Sequence, residues 1–510
     1  MMLEWTPETM RIGMLAAFGT AIAAPLAGVL FAAAGLGRRA PRGLAVTTAT
    51  VSLVASLTMT VLWHARDEAP LTLGSRFGGG WPLHVDGLTA VLFPYVSLIA
   101  LAILLVAPRR DLEEAAVARM LFGLAATLAL IGTSHPLLLV VLWIVTAWST
   151  WRSTRASLGC RTAARVYGIY MVVAAACMAA GTFLLVTDPP WERSASSVGA
   201  AGGWLVAVAV MIRKGIFPFH SWGPALFSGA PTSVALMATM PQVGAYTAVR
   251  LLVGHADGVA TELEVLSQFA LLTAVYGAAL AMVQQELRGF LGYLAMSQSA
   301  LVLAGLSGRL PMELNGAFCV WISSGLAITG ISLATWALES RAGAISLRTL
   351  QGRFWDAPAL AAFFLLFGMA SIGLPGTLSF VAGDLIVSGS LDDQLYAGLM
   401  VITSTVLCGI AVMRCWFHVF GGPSAIDSPR HAILTREQVP LTTLFLVLVG
   451  FGLVPRPLVE SLERAAERIL QRHDDVDHEP DAEHTRRSPP RFSRPFDSIG
   501  LPDMKGMSRC

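Results

Sequence analysis

Two short stretches of this chain set ionisable side chains beside residues that break helices. The first is Arg213-Lys214-Gly215-Ile216-Phe217-Pro218-Phe219-His220-Ser221-Trp222. Pro218 has no backbone donor, so carbonyls are freed beside Arg213, Lys214 and His220, making a polar notch inside the membrane. The second is Gly373-Leu374-Pro375-Gly376-Thr377, followed by Phe380-Val381-Ala382-Gly383-Asp384. It again joins a break, at Pro375, to an ionisable group. In hydrocarbon such groups are costly unless paired or hydrated, and by default they mark ion or proton paths. Plainer readings compete: Arg213 and Lys214 as a helix end snorkelling to the interface, His220 as a packed core histidine, Asp384 as an outer helix cap.

The elements around these stretches belong to a membrane. Hydrophobic residues make up 55% of the 510 and charged residues 13%, with a mean hydropathy of +0.64. That is about half the charge share of a soluble chain. The balance of 35 basic and 33 acidic residues gives no basic face for nucleic acid. Six cysteines (Cys160, Cys177, Cys319, Cys408, Cys415 and Cys510) show no CxxC and no histidine at ligand spacing. They predict neither a metal or iron–sulfur site nor a disulfide framework; Cys408 and Cys415 read as buried packing thiols. Acidic Glu4 and Glu8 lead into a span too long for a signal-peptide core, so no cleavage is expected.

With about 20 apolar residues needed per crossing, the pattern predicts an all-α polytopic membrane protein of about fourteen spans. These are 12–36, 44–63, 88–107, 115–133, a short fifth at 136–151, 165–187, 199–218, 229–252, 263–283, 288–306, 312–338, a long interrupted twelfth at 357–386, 394–415 and 439–456. Alternate loops receive arginine unevenly. Sixteen fall on one side, including Arg38, Arg39, Arg110, Arg155, Arg161, Arg165 and Arg348, against six on the other (Arg11, Arg66, Arg76, Arg193, Arg250 and Arg309). The positive-inside rule puts the first side in the cytoplasm and both termini outside. The loop at 64–86, with Gly78-Gly79-Gly80 and Trp81, is expected to form a small outer hairpin. A short amphipathic helix is expected near 457–471, within a polar tail over 461–510 that is otherwise disordered.

Interrupted segments in corresponding positions of two halves point to an inverted-repeat transporter site. The chain therefore divides into 1–114 with the first three spans, a five-helix repeat at 115–252, a second at 253–415, a connector and last helix at 416–460, and the tail. Asp86, Glu286 and Arg288 sit at span ends, where capping and phospholipid contact account for them.

From about Val85 to Arg436 the chain resembles the antiporter-like membrane subunits of proton-pumping NADH:quinone oxidoreductase (complex I), themselves related to multisubunit sodium/proton antiporters. The residues carrying the resemblance are His84-Val85-Asp86-Gly87-Leu88, Phe217-Pro218-Phe219-His220-Ser221-Trp222-Gly223-Pro224, Ala230-Pro231-Thr232, Glu286-Leu287-Arg288, Ser297-Gln298 and Gly373-Leu374-Pro375-Gly376-Thr377 with Phe380-Val381. Length and Ser323-Ser324-Gly325-Leu326 look more like the M-type subunit than the L-type. The resemblance implies a proton path of alternating ionisable residues, driven by quinone reduction elsewhere. Its seventh-helix lysine falls on Lys214 or Arg213, its eighth-helix lysine on Gln242, its eleventh-helix histidine on Ser324, and its twelfth-helix acid near Asp384. Its fifth-helix glutamate falls on Ile144, after Trp143.

The expected function is that of a membrane subunit of a complex I-like oxidoreductase. Its relay would run through Arg213, Lys214, His220, Gln242, Ser324 and Asp384, with helix breaks at Pro218 and Pro375. No cofactor is expected on this chain; NADH and quinone are used by partner subunits of a hetero-oligomeric complex in the inner membrane. Two alternatives use the same scaffold: a subunit of a cation/proton antiporter or proton-coupled inorganic-carbon uptake complex, and a subunit that anchors partners and conducts nothing.

Overall fold

The computed structural model describes residues 7–35, 41–66, 68–74, 81–157, 159–187, 197–253, 256–306, 311–393, 395–423 and 432–471. The chain is almost wholly helical. Its first half holds α1 (Pro7–Ala33), α2 (Pro41–Ala65), α3 (Gly87–Val106), α4 (Glu114–Ile131), α5 (Pro136–Ala156), α6 (Arg161–Thr187), α7 (Ser197–Lys214), α8 (Trp222–Gly229), α9 (Thr232–Thr239) and α10 (Val243–Leu251). The second holds α11 (Ala256–Val283), α12 (Leu287–Leu306), α13 (Pro311–Ala342), α14 (Pro358–Ser371), α15 (Leu378–Asp393), α16 (Leu395–Phe420), α17 (Thr435–Leu453) and α18 (Arg456–Gln471). Among the described residues eleven helices are long and apolar enough to cross a membrane. The protein is a polytopic membrane protein.

Helix α13 is the axis of the second half. It is buried along its length and packs against α3, α9, α12, α14, α15, α17 and α18. Small residues make this approach possible: a Cβ on Gly330 would lie 2.3 Å from the Phe367 ring of α14. In contrast α1, α2, α6 and α16 each bury one stripe and turn the rest outward, as expected where lipid is the solvent.

Several expected boundaries are corrected. The fifth span is not short: α5 continues to Ala156, its hydroxyls at Thr150 and Thr154 returning to carbonyls one turn back. The expected continuous span 229–252 is two helices, α9 and α10. Pro241 supplies no donor there, and Gln242 adopts a left-handed φ of 51°. The short amphipathic helix expected near 457–471 is α18 (Arg456–Gln471). Leu458, Leu462, Ala465, Ala466 and Ile469 recur at helical spacing, and their buried face holds α18 against the bundle. Arg464 ties it to Glu68 at 2.9 Å. Residues 472–510, and Gly78-Gly79-Gly80 and Arg38-Arg39-Ala40, lie outside the described residues.

The expected hairpin has strands β1 (Leu71–Leu73) and β2 (Leu83–Val85), antiparallel with Leu71 opposite Val85. It leads into α3 through Asp86, which caps the helix by accepting from Thr89 N at 2.9 Å. Asp86 also takes a two-pronged ion pair from Arg250 of α10, at 2.6 and 3.0 Å, and a contact from His84 at 3.2 Å. Burial works to raise the Asp86 carboxyl, but Arg250 and His84 outweigh it and hold the acid well below the usual carboxylate range.

Candidate functional site

The site is built on the end of α7. Gly215 has φ 68°, its N–H donates to Ile212 O at 3.2 Å, and Ile216 N–H donates to Met211 O at 2.9 Å. This pair of bonds is a Schellman motif, which stops a helix on glycine and satisfies its last carbonyls. Trp222 Nε1 donates to Ile212 O at 2.7 Å as well. The helix thus ends inside the protein three residues before Pro218, and glycine rather than proline ends it. Pro218 lies in the break that follows and is exposed.

Arg213 and Lys214 occupy the last turn, at the negative end of the helix dipole. They are 6% and 7% exposed, and neither has a carboxylate partner among the described residues. Their side chains part. Arg213 turns to α5, where Nη2 donates to Thr146 Oγ1 at 3.0 Å and the guanidinium lies 5.0 Å over the Trp143 ring. Lys214 turns to the break between α9 and α10, where Nζ donates to Gln242 Oε1. Gly244 makes room, since a Cβ there would lie 2.7 Å from Lys214 Cγ. Ser299 of α12 also donates to Gln242, at 3.5 Å.

The break at Pro241 exposes the Met240 carbonyl, which accepts from Tyr95 Oη of α3 at 2.8 Å. Tyr95 reaches Trp321 O of α13 at 3.4 Å, in space left by Gly325: a Cβ on that residue would lie 1.7 Å from the hydroxyl. Ser324 is buried beside this glycine. Polar groups thus run from Thr146 through Arg213, Lys214, Gln242 and the Met240 carbonyl to Tyr95 and α13. Beside Arg213 and Thr146, Arg119, Thr127, Ser149, Ser153 and Ser233 line a narrow cavity of about 30 Å³. That is room for about one water.

Other expected site residues stand apart. His220 is half-buried, stacked on Phe217 and edge-on to Tyr276 with centroids 5.9 and 5.2 Å away. Asp384 is exposed on α15. Ile144 turns out of the bundle, 43% exposed, and its neighbour Trp143 is what faces Arg213. The second break repeats the first in backbone only. Gly373 has φ 90°, with Gly373 N–H on Ala370 O at 3.3 Å and Leu374 N–H on Met369 O at 3.0 Å. Where α7 ends in Arg213 and Lys214, the matching positions are Ser371 and Ile372. Among the described residues no group of three metal-ligating side chains forms.

The family described as NADH:quinone oxidoreductase/Mrp antiporter, TM, matches residues 128–408, from the end of α4 into α16. The chain belongs to this family. Across the antiporter-like family it is similar to NADH-quinone oxidoreductase subunit M of Mycobacterium tuberculosis, 26% identical over 272 residues, which are 52% of this chain and 49% of that protein. The chain spans about half the length of the curated relatives it matches. Its fold is that of a chain in the Mrp complex from Dietzia sp. DQ12-45-1b, with a TM-score of 0.79 and 19% identity over 90% of this chain and 99% of that one. It also matches a chain of respiratory complex I from Thermus thermophilus, with a TM-score of 0.78 and 20% identity over 89% and 99%. The break at Gly215 lies inside the matched region.

Tyr95, Thr146 and Ser299 escaped the sequence reading because hydroxyls are ordinary in spans. Only Tyr95 left a trace, as a phenol within an otherwise apolar run. The Asp86–Arg250 pair joins residues 164 apart in the chain, and nothing local announces it.

Proposed function

We propose that this chain is a membrane subunit of a complex I-like NADH:quinone oxidoreductase, in which quinone reduction by partner subunits drives protons past Lys214. The Lys214–Gln242 hydrogen bond carries this reading, because it sets a titratable ammonium between two broken helices in the bundle interior. Lysine can exchange a proton; Arg213 stays charged and holds the local field. The cavity reaching Arg213 from Arg119 supports delivery of a proton from the arginine-rich end, and Tyr95 with Ser324 supports passage toward α13. His220 flanks the break, and Asp384 joins the path only across a contact with a neighbouring subunit.

The finer topology belongs to the same proposal: fourteen crossings, two inverted five-helix repeats at 115–252 and 253–415, both termini outside an inner membrane, and NADH, quinone and all redox centres on partners. The paired glycine terminations at Gly215 and Gly373 support the repeat. The test is purification of the intact complex through a tag on this chain, followed by subunit identification and proton uptake in vesicles. Redox subunits and quinone-driven uptake are expected. Recovery with antiporter or carbon-uptake partners and no redox subunit would favour the related antiporter reading, which the likeness to the Mrp chain supports.

One observation favours a subunit that anchors partners without conducting. The second break carries Ser371 and Ile372 in place of basic residues, and Asp384 lies outside. Unchanged uptake in a complex carrying Lys214→Met would decide for that reading.

A further inference from the structure

Between α5 and α6 runs an open groove of about 1040 Å³ that the proton path does not use. One wall is Trp148 and Trp151, the floor is Ala147, Ala164 and Gly168, and Ile169 and Val172 form the far side. Trp148 is 52% and Val172 71% exposed, so this apolar surface has no cover among the described residues. At one end the groove closes on Arg155, Arg161 and Arg165. All three are exposed, and none has a carboxylate partner among the described residues. Arg155 lies 5.1 Å over the Trp151 ring, and tryptophan is enriched where membrane helices meet the headgroups.

We propose that this groove binds an anionic phospholipid, with its phosphate on Arg155, Arg161 and Arg165 and an acyl chain along Trp151, Gly168 and Val172. The charge selects the occupant: three unanswered cations at one end and none along the rest match a headgroup with an apolar tail. Length agrees. Between Arg165 and Ala175, α6 rises about 15 Å, half of a hydrocarbon core about 30 Å thick. The groove is therefore one leaflet deep. Basic pockets between membrane helices hold anionic headgroups in this way. Gly168 opens the middle, since a Cβ there would lie 3.0 Å from the Trp151 indole.

The full chain, purified in mild detergent and stripped of lipid, is titrated with phosphatidylglycerol or phosphatidylcholine of identical chains and read by native mass spectrometry. One phosphatidylglycerol should be retained in about tenfold preference to phosphatidylcholine. The triple variant Arg155→Gln, Arg161→Gln, Arg165→Gln should abolish the preference, and Gly168→Leu should reduce retention of both lipids. As a second readout, phosphatidylglycerol brominated on its acyl chain should quench tryptophan fluorescence less in Trp151→Phe than in Trp204→Phe. Equal binding of the two lipids, or a preference surviving the triple variant, would overturn the proposal. So would a preference lost in the triple variant but untouched by Gly168→Leu, which means surface attraction without a groove. Capture of a partner subunit's helix by Val172→Cys in the intact complex, with no lipid retained, would assign the groove to that partner.

Discussion

Lys214 and Arg213 are adjacent in sequence and turn their side chains to different helices. Lys214 meets a neutral amide and can give up its proton, while Arg213 is fastened to Thr146 and Trp143. Replacing Lys214 by Met should abolish proton uptake by reconstituted complex while assembly survives, as read by pH-sensitive dye in vesicles and by subunit recovery. Lys214→Arg should fail equally, because guanidinium keeps its proton at accessible pH. Gly244→Ala offers a gentler probe. Its methyl would collide with Lys214 Cγ, so uptake should fall without the charge being touched; full activity would show that the lysine's position is immaterial.

At the scale of elements, both breaks are glycine terminations, and proline only keeps the helix from resuming at once. An L-residue in the left-handed region costs about 1–2 kcal/mol, and a methyl on either glycine would meet its nearest neighbour at 3.7 Å, an ordinary van der Waals contact. Gly215→Ala and Gly373→Ala should therefore destabilise the chain alike, by about that much, in thermal unfolding in detergent. Only Gly215→Ala should impair proton uptake, since Arg213 and Lys214 hang from that turn. Pro218→Ala should leave the break in place. Loss of uptake in Pro218→Ala, with Gly215→Ala unaffected, would return the decisive role to the proline.

The whole molecule is pinned at one end by groups remote in sequence: Asp86 on Arg250, and Glu68 on Arg464 of α18. Removing one partner of a buried pair leaves the other charge unanswered, at a cost of about 3 kcal/mol. Asp86→Asn should lower thermal stability by that order at pH 7. The folded carboxyl is depressed, so the pair's contribution is complete above the unfolded value of about 3.9 and is lost as pH falls through the lower folded value. The gap between wild type and Asp86→Asn should thus stay open down to about pH 4 and narrow only below it. Orientation has its own check. Reporter fusions after Arg110 and Arg348 should read cytoplasmic and one after Thr187 external; the reverse would invert the proposed path.

Much of this protein is legible without coordinates. Apolar runs of membrane length, arginine on alternate loops and glycine–proline interruptions follow from hydrocarbon and backbone sterics, which act locally, so the spans and the two breaks stand in the sequence. Lys214 could be named there because an ionisable group in an apolar run is conspicuous by itself, whereas Gln242 stands out only through the family resemblance. Which groups meet is a different matter. The break at Pro241 is not distinct in the sequence within the span 229–252, since a single proline is often absorbed by a membrane helix. Whether Lys214 or Arg213 faced the path depended on rotamers set by Gly244 and Trp143, from other helices. Asp384 and Ile144 had the right type or place in sequence, yet their helices turn them outward, because helix rotation about its axis is decided by packing against neighbours. Tyr95 entered the site only because Gly325, on a helix far along the chain, left room for its hydroxyl. Contacts of this kind depend on shape across helices, and only the folded bundle determines them.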